Sequence, residues 1–336
     1  MAMNRRILLK QRPKGMPTLD DFELVETPVP TPGPGEVLVR NRFLSLDPYM
    51  RGLMDAGKSY LTPLELGQVM DGATVAEVVA SNDPGFAPGD AVWAPGRWQD
   101  YAVCKPPPSR PPLRKIDTKL APPTAWLGPL GLPGWTAYVG LLNLAEPREG
   151  QTIVVSSASG AVGGLVGQLA KSRALHTVGI AGGQQKCAYA VEALGFDQCI
   201  DYKAEGFAAA LAEACPNGID IHFENVGGGI LQAVWPLLNM NARVVVSGLM
   251  AQYNLTKPWP GPDLTWLLKQ RISIRGFIIT DHATSIPQAI GDMARWLAEG
   301  KIKTRDDITV GLERAPEAFI GMLHGKNFGK TLVEFA

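Results

Sequence analysis

The chain has 336 residues, enough for about two domains. Hydrophobic residues make up 46% and charged residues 19%, and 32 basic side chains balance 32 acidic ones, so the formal net charge is zero. With no basic cluster standing out, nucleic acid and an anionic membrane surface are not expected as partners, and no apolar run is long enough to span a bilayer. At the start, Arg5-Arg6 precede only Ile7, Leu8 and Leu9, too short for the apolar region of a signal peptide. Cys104, Cys187, Cys199 and Cys215 lie far apart without paired spacing, which fits a reducing cytoplasm.

The first third reads as β structure. Pro28-Val29-Pro30-Thr31-Pro32-Gly33-Pro34-Gly35 is rich in turn formers and leads into a strand over 36–46, carried by Val37, Val39, Phe43 and Leu46. Further strands are predicted over 73–80, over Ala91-Val92-Trp93 after Gly89-Asp90, and over 100–105, where Tyr101 and Val103 alternate. Short strands divided by Pro and Gly turns point to a small barrel or sandwich. The proline-rich stretch 105–112 can be neither helix nor central strand and is expected to be a surface loop.

Around Trp126 the pattern changes. Thr152–Ser156 is an uncharged β-branched run, the mark of a strand buried on both faces. Ala158, Gly160 and Gly163 follow with the spacing A-x-G-x-x-G, and Leu165, Val166, Leu169 and Ala170 then recur at helical spacing. Strand, glycine turn and helix together form the context in which such a motif binds a pyrophosphate. Missing side chains let the anion reach the backbone, and the first N–H groups of the helix attract it. The same turn can also serve with no ligand at all.

The next strand, over 176–181, ends in Gly182-Gly183. An NAD-binding unit places an Asp or Glu about 20 residues after the glycines to hold the adenosine ribose. Here glycine stands there, followed by Gln184, Gln185 and Lys186. A 2′-phosphate is not repelled and gains a counter-charge, which argues for NADP(H). The plainer reading of Lys186 is a solvated lysine, although a lysine near a helix start opposes the helix dipole.

Beyond it, helices are predicted over 186–194, closed by Gly195, and over 207–214. A strand over 219–223 ends in Glu224-Asn225-Val226-Gly227-Gly228. It is followed by a helix over 231–238, strands over 243–247 and 272–279, and a helix over 286–297. Alternation of this kind predicts a doubly wound parallel sheet, with Gly160, Lys186, Asn225, Gly248 and Phe277 near the carboxyl ends of strands, where ligands bind. The tail adds strands over 308–310 and 331–335 around a helix with Ala318, Phe319 and Met322.

Several stretches carry a family resemblance along nearly the whole chain. They are Asp47-Pro48-Tyr49-Met50-Arg51, Gly134-Trp135-Thr136-Ala137-Tyr138, the glycine turn, Glu224 to Gly228, Gln252-Tyr253-Asn254 and Asn327-Phe328-Gly329-Lys330-Thr331. The chain resembles the zinc-independent medium-chain dehydrogenases/reductases, and within them the leukotriene B4 dehydrogenase, prostaglandin reductase and curcumin reductase group. The resemblance implies a GroES-like β-barrel domain over 1–124, a Rossmann NADP-binding domain over 125–298, a return to the first domain over 299–336, and a homodimer.

It also implies site residues. Gly160, Ala161, Val162 and Gly163 would hold the pyrophosphate, and Lys186 and Tyr202 would bracket the 2′-phosphate and adenine ribose. Asn225 would lie near the ribose or adenine. Ser247, Gly248 and Tyr253 would flank the nicotinamide half, Phe277, Ile278 and Ile279 its carboxamide, and Asn327 would reach in from the tail. Arg51 matches the family's arginine, as a site residue or as half of a structural ion pair. Trp98 and Trp259 are placed either beside an apolar substrate or as packing anchors. Two stretches depart from the family pattern: Ser156-Ser157 before the glycine turn, and 52–66, expected beside the substrate.

Zinc is not expected. Where related zinc enzymes carry Gly-His-Glu, this chain reads Gly67-Gln68-Val69, and His176, His222, His282 and His324 are scattered with no cysteine at ligand spacing. Without metal, reduction of a C=C bond conjugated to a carbonyl remains accessible. Hydride goes to the β-carbon, and the enolate oxygen needs a hydrogen-bond donor. A tyrosine hydroxyl, with its pKa of about 10, suits that task. By the resemblance, Tyr253 is the first candidate and Tyr49, which would line the substrate cleft, the second, each being otherwise a packing residue with a satisfied hydroxyl; the α-carbon proton has no acid assigned to it. The expected substrate is a small apolar enone or enal. The rivals are quinone reduction with the same cofactor, oxidation of an allylic alcohol, and a nucleotide-binding sensor without turnover.

Overall fold

The computed structural model describes residues 2–106 and 112–336. Most of the loop expected over 105–112 therefore lies outside the described residues. Chain contacts define two compact units, Met1–Leu127 with Asp306–Ala336, and Gly128–Arg305.

The first unit opens with an antiparallel pair, β1 (Met3–Leu9) and β2 (Phe22–Pro28). Then come β3 (Val37–Ser45), the short helix α1 (Tyr49–Leu53), β4 (Thr74–Ser81), β5 (Ala91–Ala94), β6 (Tyr101–Cys104) and β7 (Arg114–Lys115). β3 is the organising strand. It pairs with β4 along its length and with β6 over its first half, antiparallel to both. Its residues alternate inward, so Val37 and Val39 join Val78 and Val92 in one core.

The second unit begins with α2 (Leu132–Tyr138), which widens into a π-helical segment, Val139–Ala145. It continues through β8 (Thr152–Ser156), α3 (Gly163–Lys171), β9 (His176–Ala181), α4 (Gln184–Glu192), β10 (Gln198–Asp201) and α5 (Phe207–Ala214). After these come β11 (Ile219–Glu224), α6 (Gly228–Val234), β12 (Leu238–Val246), α7 (Leu264–Gln270), β13 (Ser273–Gly276) and α8 (Ile286–Ala298). All six strands pair in parallel, in the order β10-β9-β8-β11-β12-β13. Strand order reverses between β8 and β11, so the carboxyl ends of these two flank the switch point where α/β sheets bind ligands.

The chain then returns to the first unit with β14 (Asp306–Val310), α9 (Ala315–Leu323) and β15 (Lys330–Glu334). β15 pairs antiparallel with the end of β3 and parallel with β14, so the sheet branches at β3 in a barrel-like way. Residues 299–305 stay with the second unit. Gln168 Nε2 donates to the Lys303 carbonyl at 2.9 Å, and Lys303 N–H donates back to Gln168 Oε1 at 2.7 Å.

Three expectations need correction. The helix expected over 231–238 starts at Gly228 and stops at Val234. Pro236 cannot continue it, and β12 begins at Leu238, earlier than the expected 243. The strand expected over 272–279 is only Ser273–Gly276, and Ile279 already opens a 3₁₀ segment. Of the two readings of Trp98, the packing anchor holds: it is fully buried, stacked on Phe22 at 5.8 Å and meeting Phe319 edge-on at 5.6 Å.

Candidate active and cofactor site

β8 runs into the glycine turn without a break. Ser157 takes a left-handed backbone, φ 56°, and its carbonyl accepts the Gly160 N–H at 2.9 Å. The glycines here are demanded by packing. A Cβ on Gly163 would stand 2.2 Å from the Ser157 carbonyl oxygen, and one on Gly160 would stand 2.7 Å from the Ser157 hydroxyl. Gly167, which the sequence reading did not single out, is needed just as much: its Cβ would fall 1.9 Å from the Phe196 ring. Helix α3 thus lies close on the sheet. Its first turn is tied back to the glycine turn: Gly164 N–H donates to the Gly160 carbonyl at 2.9 Å, and the Leu165 and Val166 N–H groups donate to the Val162 carbonyl at 3.1 and 3.0 Å. Ala161 and Val162 are half-buried on its rim.

β9 and β10 end side by side, with Ala181 paired to Asp201. Gly183, φ 101°, starts α4 and makes Lys186, half-buried, its third residue. Tyr202 is 42% exposed and packs so tightly on Gly182 that a Cβ there would stand 2.9 Å from its ring. Lys203 lies alongside, its Nζ 5.9 Å from the Tyr202 ring centroid. It adds a second cation that the sequence pattern did not single out. A carboxylate, Asp201, also lies here. Its Oδ1 accepts the N–H groups of Gly183 at 2.8 Å and Lys203 at 3.0 Å, so it shapes the turn.

At the switch point, side chains lock three strand ends together. Ser156 Oγ donates to Glu224 Oε1 at 2.6 Å and accepts the Asn225 N–H at 2.7 Å. Asn225 Nδ2 donates to the Ser156 carbonyl at 2.8 Å, and its Oδ1 accepts from Ser247 Oγ at 2.6 Å. Asn225 and Ser247, read as cofactor contacts, therefore spend these bonds on each other and on β8. Burial pushes the Glu224 carboxyl up, but His222 at 3.0 Å, Ser156 and the Val226 N–H outweigh it and hold it at about 2.

The loop from Ser247 to Tyr253 is pinned along this network. Ser247 N–H donates to the Glu224 carbonyl at 2.9 Å, Met250 N–H to Asn225 at 3.2 Å, and Ala251 N–H to Val226 at 2.9 Å. Tyr253 closes the loop, its hydroxyl accepting the Leu249 N–H at 3.2 Å. A Cβ on Gly248 would stand 3.3 Å from that hydroxyl. Burial raises the pKa of Tyr253, against a smaller lowering by the Leu249 N–H, so the group stays protonated at neutral pH. Next to this loop in the sheet, Phe277 N–H donates to the Val246 carbonyl at 3.3 Å, and Ile279 is buried at the head of its 3₁₀ segment.

In the first unit, Tyr49 heads α1 and donates to Asp71 Oδ2 at 3.3 Å. Burial, with Asp71 and Asp47 nearby, puts its pKa well above the usual tyrosine value. Burial also raises the Asp71 carboxyl, with Arg97 Nε 4.0 Å away opposing it. The turn before Tyr49 is clamped. Lys330 Nζ donates to Asp47 at 2.7 Å and to the Leu46 carbonyl at 2.8 Å, and Ser45 donates to the same carboxylate. Arg51 is 3% exposed and serves structure, holding Gly15 O at 2.9 Å and Asp55 at 2.8 Å. Asn327 donates to the Gly329 carbonyl at 3.1 Å and shapes the turn into β15.

Among the described residues, no group of three or more His, Cys, Asp or Glu is placed to hold a metal ion. His222 is spent on Glu224 and the Val154 carbonyl, and Gln68 in the Gly67-Gln68-Val69 stretch accepts the Glu65 N–H at 3.0 Å. This donor set does not fit zinc.

A parallel sheet with this strand order, a glycine turn at its switch point and a basic rim beside β9 mark the dinucleotide-binding class of α/β fold. The family described as the N-terminal domain of oxidoreductase matches residues 5–110, and the one described as zinc-binding dehydrogenase matches 194–333. The chain is 48% identical over 339 residues to the NADPH-dependent curcumin reductase of Escherichia coli (strain K12), covering 99% of this chain and 97% of that protein. It is 38% identical to the NADP(+)-dependent 2-alkenal reductase of Nicotiana tabacum, covering 98% of this chain and 97% of that one. Among solved structures, CurA from Vibrio vulnificus in complex with NADPH is 48% identical, with a TM-score of 0.94 over 99% of both chains. The chain belongs to the medium-chain dehydrogenase/reductase family, in the group of curcumin, alkenal and prostaglandin reductases.

Proposed function

We propose that this protein is an NADPH-dependent reductase of the C=C bond in α,β-unsaturated ketones and aldehydes. The observation that carries the reading is the Tyr253 hydroxyl at the carboxyl end of the parallel sheet. Its oxygen accepts from Leu249 N–H, which polarises its own O–H, and it stays protonated. It can therefore donate to a carbonyl oxygen on which enolate charge builds. The names of the curcumin and alkenal reductase relatives support the same chemistry.

The cofactor fits the residues. The turn at Gly160 and Gly163 is packed too closely on Ser157 to carry side chains, which leaves bare backbone there, and Lys186, Tyr202 and Lys203 gather where β9 and β10 end. Gly160 to Gly163 would hold the pyrophosphate and Lys186 the 2′-phosphate. Asn225 and Ser247 would set the height of the ribose-facing loop, and Phe277 to Ile279 would offer backbone groups to the carboxamide. When bound, NADPH supplies the hydride. Tyr49 is a second substrate-facing hydroxyl by family position, and Asn327 a cofactor contact from the tail.

A homodimer belongs to the same reading. β13 is an edge strand whose four residues are all exposed, and the preceding α7 presents Leu264 and Leu268, 67% and 77% exposed. The four free cysteines support a cytoplasmic location, and among the described residues no helix is long and apolar enough to cross a membrane.

The test is NADPH oxidation with a panel of enones, enals and quinones, with products identified by mass. Saturated ketones or aldehydes are the expected products. Turnover confined to quinones, or none with any acceptor, overturns the proposal.

A further inference from the structure

Two of the four thiols stand together in the second unit, beside the turn that carries Lys186. Cys187 follows Lys186 in the first turn of α4, and Cys199 lies in β10 opposite Gly179 of β9. Both face the same strand. Cys187 Sγ is 4.0 Å from the Ala181 carbonyl, and a Cβ on Gly179 would stand 3.1 Å from Cys199 Sγ. The bare glycine makes room for the second sulfur. Each thiol feels the other electrostatically, and neither is in a disulfide. Cys187 is buried, while Cys199 is half-buried and gives the pair its opening to solvent.

We propose that Cys187 and Cys199 are a redox-sensitive pair that closes to an intramolecular disulfide with a peroxide and thereby weakens NADPH binding through Lys186. The first half of this stands on the thiols alone; the second rests on the cofactor reading above. The neighbouring Cys199 lowers the pKa of Cys187 against the opposing effect of burial, while Cys199 itself is raised. That division is what an attacking sulfur and its resolving partner need. The Cys187 thiolate attacks one peroxide oxygen and hydroxide leaves, giving a sulfenic acid. Cys199 attacks that sulfur, loses its proton and expels water. In sum, two thiols and one peroxide give a disulfide and two waters, with two electrons passing from sulfur to oxygen. An S–S bond of about 2.05 Å is far shorter than any S–H···S contact, so closure draws the first turn of α4, with Lys186, toward β10.

The other two cysteines are internal controls. Burial pushes Cys104 up to about 12 and Cys215 up to about 11, and both are 3% exposed.

The full-length protein is treated with hydrogen peroxide. Thiols are then counted after denaturation, peptides mapped by mass, and NADPH affinity measured by fluorescence. Two of the four thiols are expected to disappear, with a loss of about 2 Da mapped to a cross-link between Cys187 and Cys199. Dithiothreitol reverses it, and the NADPH Kd rises about tenfold while the bond is closed. The double variant Cys187→Ser, Cys199→Ser binds NADPH like the reduced protein and ignores peroxide. Survival of all four thiols, prior loss of Cys104 or Cys215, or oxygen added at Cys187 without a cross-link overturns the pair. A cross-link that leaves the NADPH Kd unchanged overturns the switch. If the reduced protein binds no NADPH, the cofactor reading fails, while the peptide map still decides the pair's chemistry.

Discussion

Tyr253→Phe removes one oxygen and tests whether that oxygen works on the reacting carbonyl or only fills space. Its loss leaves the Leu249 N–H without its 3.2 Å partner, a cost of about 1 kcal/mol in stability. The loop should keep its course, because Ser247, Met250 and Ala251 still donate to Glu224, Asn225 and Val226 at 2.9, 3.2 and 2.9 Å. Cofactor affinity is therefore expected to change less than about threefold. Turnover should respond differently. Removing one positioned donor from a developing oxyanion costs about 100- to 1000-fold in kcat. The assay is steady-state NADPH oxidation with an enone, alongside NADPH binding and thermal unfolding. A fall confined to kcat supports the donor role. A kcat within about fivefold of wild type, or a loss that appears only in KM, refutes it.

Lys186→Ala should weaken NADPH about tenfold or more and leave NADH nearly unchanged, since a charge-assisted bond to a 2′-phosphate is lost from one cofactor only. Equal losses in titrations with both would sink the 2′-phosphate role. Gly163→Ala forces a Cβ to 2.2 Å from the Ser157 carbonyl and should lower stability by about 1–3 kcal/mol. Gly229→Ala, in helix α6 with open space around its Cβ, should be neutral or stabilising, and calorimetry compares the two. Glu224 has a folded pKa of about 2, below its unfolded value, so its contribution is present above the ordinary carboxylate range and is lost as pH falls through about 2. Glu224→Gln should be destabilised at neutral pH and show a flatter stability curve across that acid window. Urea unfolding at several pH values measures both, and parallel curves for the two proteins would exclude the role given to Glu224.

Local pattern made much of the second unit legible. Thr152–Ser156 and His176–Ala181 are apolar runs bounded by glycine or polar residues, and Phe207–Ala214 follows a left-handed glycine, Gly206. Where pattern failed, the cause was distance along the chain or exposure. β1 hides Arg5 and Arg6 in a strand whose partner, β2, starts only at Phe22. β10 is a four-residue edge strand with no fully buried side chain, so it lacks a clear apolar signal. The site suffered likewise. Asp71 lies 22 positions from the tyrosine it binds, and Ser156 lies 68 from Glu224, so no window of sequence contains either pair.

The serine at 156, a departure from the family pattern, has a physical reason in that last contact. His222 is fully buried, and both its ring nitrogens face acceptors, the Val154 carbonyl at 3.1 Å and the Glu224 carboxylate at 3.0 Å. The ring and the carboxylate form a buried hydrogen-bonded pair. Such a pair is tolerated only when its remaining polar atoms are also satisfied. Ser156 does this for Glu224 Oε1 from one side, and the Val226 N–H does it from the other at 2.7 Å. An alanine at 156 would leave that oxygen with the Val226 bond alone and deprive the Asn225 N–H of its acceptor. The same hydroxyl therefore levels the ends of β8 and β11, and through Asn225 and Ser247 it sets where β12 releases the loop that carries Tyr253. The position of the proposed hydrogen-bond donor thus depends on a buried hydrogen-bonded pair in the middle of the sheet.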